Sequence, residues 1–306
     1  DASNSIATVI GSRNLSPRTA LIMAGICEFL GAVTGTAVAK TIGKGIIQPE
    51  ALTMGIVLAG VTAVVIWSVT ATIKGMPVSL THGLVAGLVG ATLAQCTPGA
   101  VQWPVLTRVF SAVAVAPVLG FLGGFGIVLI IFWVFRKERP ASIRGMFSKL
   151  EVVSAAFLAY SHGKNDGQMP IGLIAMGLMV AGGKGEFDIP TWAVLASASA
   201  ISFGTVVGGR QVIRTVGMKM TVLNPSSGFA AEATAATIIE FASHLGIPVS
   251  TTHCVNSAIM GAGASRRLSA VRWSLAGNIV RTWLLTFPGC ALLGFMLGLV
   301  IRLSGN

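Results

Sequence analysis

The stretch "GIPVSTTH" (residues 246–253) repeats, with two positions changed, the earlier "GMPVSLTH" (residues 75–82). Carried further, "PVSLTHGLVAGLVGA" (residues 77–91) and "PVSTTHCVNSAIMGA" (residues 248–262) agree at seven of fifteen positions. Two more pairs keep the same order. "AVAKTIGKGI" (residues 37–46) matches "QVIRTVGMKM" (residues 211–220), and "DASN" (residues 1–4) faces "NDGQMP" (residues 165–170). Three ordered matches mark an internal duplication.

The chain around them is apolar. Of 306 residues, 53% are hydrophobic and only 10% charged, against about 25% charged in soluble domains. Apolar runs recur throughout, among them residues 20–39, 51–73, 110–135 and 274–301. Several reach the ~20 residues that cross a bilayer core. The expected class is therefore an all-α polytopic membrane protein, multi-pass in the cell membrane. The net charge of +11 does not argue for nucleic acid, because the basic residues form short clusters between apolar runs, as cytoplasmic loops do. Cys27, Cys96, Cys254 and Cys290 lack ligand spacing and read as small core residues. The chain begins with Asp1 rather than Met, which suggests that a first segment is missing.

Loop charges predict that the two copies are inverted. "SRNLSPR" (residues 12–18) is basic and its counterpart "GGKGEFD" (residues 182–188) net acidic. "QCTPGAVQW" (residues 95–103) is uncharged and its counterpart "SRRLSAVR" (residues 265–272) basic. The positive-inside rule puts corresponding loops on opposite sides. The expected organisation is a first repeat over residues 1–135, a basic cytoplasmic linker over 136–149, and a second repeat over 150–306. Counting outward from the linker gives about ten crossings. Lys40 and Lys44 run against this orientation. Inverted repeats with broken helices meeting at a central site are a transporter architecture.

Proline is favoured in the first turn of a helix, so Pro77 and Pro248 predict helix starts. Hydroxyls beside free backbone N–H groups at the positive end of a helix make an anion site without fixed cations. Two such ends meeting would clasp a tetrahedral oxyanion. His82 and His253 close the signatures and are expected to support them structurally. "AYSHGKNDGQMP" (residues 159–170) breaks an apolar region with His162, Lys164, Asn165, Asp166 and Gln168. Ionisable groups at membrane depth mark function, and freed carbonyls with Asn and Asp oxygens suit sodium. Glu28, within "GICEFLGAV", needs a partner, and Lys164 is the expected one. Glu232 is a second acid in apolar surroundings.

The motifs "DASNSIATVIGSRNLSPR", "GTAVAKTIGKGI", "SHGKNDGQ", "GFAAE" and "SAIMGAGASRRLSAVRW" give the chain a resemblance, over essentially its whole length, to the inorganic phosphate transporter family of sodium- or proton-coupled symporters. The resemblance implies inward transport of phosphate, with sulfate permeases of the same family as the alternative, proton-coupled or sodium-independent. It implies no cofactor beyond a coupling sodium ion or proton, no fixed metal, no enzymatic activity, and a homodimer in the bilayer. The family signature reads Gly-Ala-Asn-Asp-x-Ala-Asn-Ala once per half. Asp1 and Asn4 match the first copy, Asn165 and Asp166 the second. By that match Ser79, Thr81, Ser250, Thr251, Thr252 and Asn165 would contact the anion. Asp1, Asn4, Asp166, Glu28 and Lys164 would serve cation coupling, with transient sodium at Asp1 and Asp166, supported by His82, His253 and Gln168. Lys164 stands where the pattern has a small residue, Leu80 where many members have a hydroxyl, and Glu28 where an amide is expected. A Lys164–Glu28 pair would then alter or replace sodium coupling. A membrane hydrolase is disfavoured, since no Gly-x-Ser-x-Gly elbow exists. A passive anion channel is disfavoured by polar breaks at matched positions.

Overall fold

The computed structural model describes residues 2–183, 186–208 and 210–305. Helices α1 (Asn4–Gly11), α2 (Pro17–Ala32), α3 (Ala37–Gly45), α4 (Met54–Ile73), α5 (Leu80–Gln95) and α6 (Trp103–Val134) are followed by α7 (Pro140–Asp166) and α8 (Gln168–Ala181). Then come α9 (Thr191–Val207), α10 (Arg210–Ile213) running into a π-helical turn, α11 (Pro225–His244), α12 (Thr251–Ala264) and α13 (Trp273–Leu303). The chain is all-helical, with α5 packed along α13 and α12 along α6.

Among the described residues, α4, α6 and α13 are each long and apolar enough to cross a membrane alone. Two bent pairs, Pro17–Ala32 with Ala37–Gly45 and Thr191–Val207 with Gln211–Lys219, reach that length jointly, each bent by 64°. These make at most 5 spans by length and composition, fewer than the apolar runs suggested. Two physical reasons account for the difference. The runs after Pro77 and Pro248 form helices of 16 and 14 residues, about 24 and 21 Å long, short of the ~30 Å hydrocarbon core. Helices α7 and α11 have the length, 27 and 20 residues, but carry the acids Glu151, Asp166, Glu232 and Glu240.

The short helices lie against the long ones with backbones nearly touching. A Cβ on Gly261 of α12 would stand 2.0 Å from the Phe121 carbonyl oxygen of α6, and one on Gly294 of α13 2.2 Å from that of Gly87 in α5. Such approach needs glycine, and it replaces the hydrophobic drive that lipid cannot supply between helices. Outside these seams, large apolar side chains such as Leu58, Leu122, Trp133, Phe203 and Leu284 are exposed. All four cysteines are free thiols, Cys254 and Cys290 buried and Cys27 and Cys96 half-buried.

Candidate anion and cation site

Helices α4 and α11 each end at a glycine in the left-handed region, Gly75 at φ +67° and Gly246 at φ +68°. The chain then runs extended into α5 and α12. Pro77 and Pro248 lie in that extended approach rather than in the first helical turn; the helices open two residues later at Ser79 and Ser250. Each serine is the N-cap, its Oγ accepting the backbone N–H of His82 or His253 at 3.2 Å. That takes one of the four N-terminal donors that a helix leaves without an intrahelical partner.

The two helix starts meet. Thr81 Oγ1 donates to the Val249 carbonyl at 3.1 Å, and Thr252 Oγ1 donates to the Val78 carbonyl at 2.8 Å. Each threonine thus satisfies the extended segment of the other signature. The His82 and His253 rings meet edge to face with centroids 4.8 Å apart, His82 stacked on Phe287 and His253 4.0 Å from the Trp283 ring. All of these residues except Phe287 are buried.

Against this junction stands the end of α7. Thr251 Oγ1 donates to Asp166 Oδ2 at 3.1 Å. Asn165 Nδ2 donates to Asp166 Oδ1 at 2.7 Å and to the Val249 carbonyl at 2.9 Å, and its Oδ1 accepts from Ser243 Oγ at 3.3 Å. Asn4, at the start of α1, donates through Nδ2 to Thr252 Oγ1 at 3.1 Å. Asp1 lies outside the described residues. Gln168 Oε1 accepts the N–H groups of Val38 and Ala39 at 2.8 and 3.2 Å, capping α3. Ser79, Thr81, Ser250, Thr251, Thr252, Asn165, Asp166 and Asn4 are therefore brought into one buried network.

The expected Lys164–Glu28 pair does not form. Lys164 is ion-paired with Glu240 in a partly buried position. Glu28 faces His162 instead, with Nδ1 of the ring 3.1 Å from Glu28 Oε1 and Nε2 3.1 Å from Asp166 Oδ2. The reason is helical geometry. His162 and Asp166, four residues apart, share a face of α7, whereas Lys164, two residues from each, points away. A ring protonated on both nitrogens donates to both carboxylates at once; a neutral ring donates to only one. Glu28 also accepts from Ser5 Oγ at 3.4 Å and from Thr205. The sequence alone leaves His162 without a role; its i, i+4 spacing to Asp166 was the available signal.

Helix α1 serves a second acidic pair. Thr8 donates to Glu232, and Ser12, one turn later, donates to Glu151 Oε2 at 2.9 Å. Ser154 also donates to Glu232. Glu151, fully buried, was missed because it begins the apolar stretch directly after the basic linker. A cavity of about 520 Å³ reaches His162 and Asp166 between α4, α8 and α9, with Val61, Val64, Leu173 and Ile201 among its walls.

Comparison with known proteins gives a consistent result. A family model described as the phosphate transporter family matches residues 1–294. A protein of Rhizobium meliloti (strain 1021) called a probable low-affinity inorganic phosphate transporter is 41% identical over 295 residues, covering 96% of this chain and 88% of that protein. One of the same description from Bacillus subtilis (strain 168) is 37% identical, covering 96% and 89%. A solved structure described as the sodium-dependent phosphate transporter superposes with a TM-score of 0.88 at 29% identity, over 99% of this chain and 94% of that one.

Proposed function

The chain belongs to the phosphate transporter family, and from that premise we propose that it imports inorganic phosphate by secondary transport driven by a sodium gradient, with protons as the alternative driver. It is a multi-pass membrane transporter and not an enzyme. The anion is held where α5 and α12 begin, by the hydroxyls of Ser79, Thr81, Ser250, Thr251 and Thr252, by first-turn N–H groups and by the Asn165 amide. The coupling cation is held beside it by Asp166, with Glu28 completing the charge balance and Asn4 offering a neutral amide; Asp1, outside the described residues, is proposed for the same role. Residues 1–135 and 150–306 act as inverted repeats about this junction, joined by the 136–149 linker, and two copies of the chain associate as a homodimer.

The observation that carries the reading is the Thr251–Asp166 hydrogen bond of 3.1 Å. It joins a helix start suited to an anion directly to a carboxylate suited to a cation, so loading of one alters the field at the other. The same carboxylate favours phosphate over sulfate. Phosphate at neutral pH still carries a proton to donate, while sulfate is acceptor-only. Lys164 supplies no cation here, because Glu240 neutralises it. Support for sodium comes from the structural neighbour, which is described as sodium-dependent.

The test is uptake of labelled phosphate into proteoliposomes with and without an inward sodium gradient, and with excess unlabelled sulfate. Sodium-driven uptake that ignores sulfate is expected. Sodium-independent uptake responding to an imposed pH gradient would move the coupling to protons. Negligible phosphate uptake beside strong sulfate uptake would overturn the substrate.

A further inference from the structure

A second cavity, of about 560 Å³, shares no lining residue with the anion junction. It sits where α6 ends and α7 begins, against the start of α11, and Arg136, Arg144, Glu138 and Ser226 are among its lining residues. Its other side is aromatic, with Phe132 and Phe135. The Arg136 guanidinium lies 5.5 Å from the Trp133 ring centroid, a distance at which the ring face attracts the cation. Phe132, Trp133 and Val134 are 45%, 67% and 54% exposed, and they end a helix apolar enough to span a membrane. The cavity therefore straddles a boundary, with hydrocarbon-compatible wall on one side and arginines on the other.

Over residues 136–149 the linker carries five basic residues, Arg136, Lys137, Arg139, Arg144 and Lys149, against one acid, Glu138. Basic pockets between membrane helices on the cytoplasmic side bind lipid headgroups, and Trp at that level anchors to the interface. We propose that this cavity binds the phosphodiester of an anionic phospholipid, with Arg136 and Arg144 on the phosphate and an acyl chain descending along Phe132. Glu138 decides between the two sources of such a group. Its carboxylate, also lining the cavity, opposes a free phosphate ion bearing up to two charges more than a phosphodiester, which carries one. The continuous apolar wall has no use for a free ion and fits an acyl chain. The site is separate from the transport junction and does not depend on which ion is carried.

The experiment is native mass spectrometry of the full chain in detergent with equal amounts of phosphatidylglycerol and phosphatidylcholine. It compares the wild type with the double variant Arg136→Gln/Arg144→Gln. Preferential retention of phosphatidylglycerol by the wild type is expected. Each basic residue near an anionic surface is worth about a five-fold gain in affinity, so the double variant should lose about twenty-five-fold. Unchanged thermal unfolding of the variant in detergent excludes misfolding as the cause; if it unfolds early, Arg144→Lys and Arg136→Lys, which keep charge, should retain the lipid. Equal retention of both lipids, or undiminished phosphatidylglycerol on the double variant, overturns the proposal. Displacement of phosphatidylglycerol by excess inorganic phosphate would assign the cavity to the free ion instead and likewise overturn it.

Discussion

His162 holds two carboxylates from different helices. Removing one member of a buried charged network leaves the others unpaired, at a cost of about 3–5 kcal/mol. His162→Leu should therefore lower thermal stability sharply and abolish uptake, because Glu28 and Asp166 would then face each other without a proton donor between them. Unfolding in detergent and proteoliposome uptake check both. The Lys164–Glu240 pair is expected to behave differently. Its side chains are 15% and 28% exposed and Glu240 Oε2 is buried without a hydrogen-bond partner, so losing the lysine leaves a partly buried carboxylate unpaired. Lys164→Ala should lower thermal stability, by less than His162→Leu does, and leave the sodium dependence of uptake as in the wild type. A changed sodium dependence would restore the lysine to the coupling machinery. Asp166→Asn keeps the shape and the hydrogen-bond capacity toward Thr251 but removes the charge. Cation-driven uptake should fall by orders of magnitude in that variant, with a thermal stability below the wild type's but above that of His162→Leu.

At the scale of elements, two half-length helices are seated in grooves that only glycine leaves open. Gly261→Val would drive a side chain into the Phe121 carbonyl, which lies 2.0 Å from an ideal Cβ. Overpacking of this kind costs about 1–3 kcal/mol or more, and here it would also push α12 away from α6 and shift Ser250 and Thr251. Gly126, on the same α6, meets nothing within 4 Å of an added Cβ. Gly126→Ala should be tolerated and mildly stabilising, by up to about 1 kcal/mol of helix propensity. The ratio of monodisperse to aggregated protein on size exclusion separates the two variants. Helix starts and stops were largely readable at this scale. Gly75 and Gly246 mark the turns, and the serines two residues after each proline mark the N-caps. Their shift from the prolines to Ser79 and Ser250 follows from hydrogen bonding. A serine oxygen accepts the N–H three residues on, a bond that proline cannot provide from its ring.

For the whole molecule, the basic linker and the paired loops make an orientation test possible. In a cysteine-free background, the single substitutions Ser142→Cys and Ser269→Cys should each react with a membrane-impermeant maleimide from the cytoplasmic side only. Gly99→Cys should react from the opposite side only. All three positions are exposed. Labelling at positions 99 and 269 from one side would refute the inversion of the repeats.

Composition determined by itself that this is a helical membrane protein, while the doubled Pro-Val-Ser-x-Thr-His signature and the polar break at residues 161–168 pointed to paired helix starts with acids nearby. Those properties are written in local order: apolar run length, cap residues and repeated spacing. Which acid meets which base was decided only by the tertiary structure. Glu28 lies on α2, His162 and Lys164 on α7, and Glu240 on α11. The choice between the two basic partners turns on which face of α7 packs against α2. A two-residue step on a helix reverses that face, and nothing in the local sequence around Glu28 records it. In the same way, the bonds from Thr81 to Val249 and from Thr252 to Val78 exist because α5 and α12 are each seated on a long helix of the other half. That seating depends on backbone approach across the fold rather than on any neighbour in the chain.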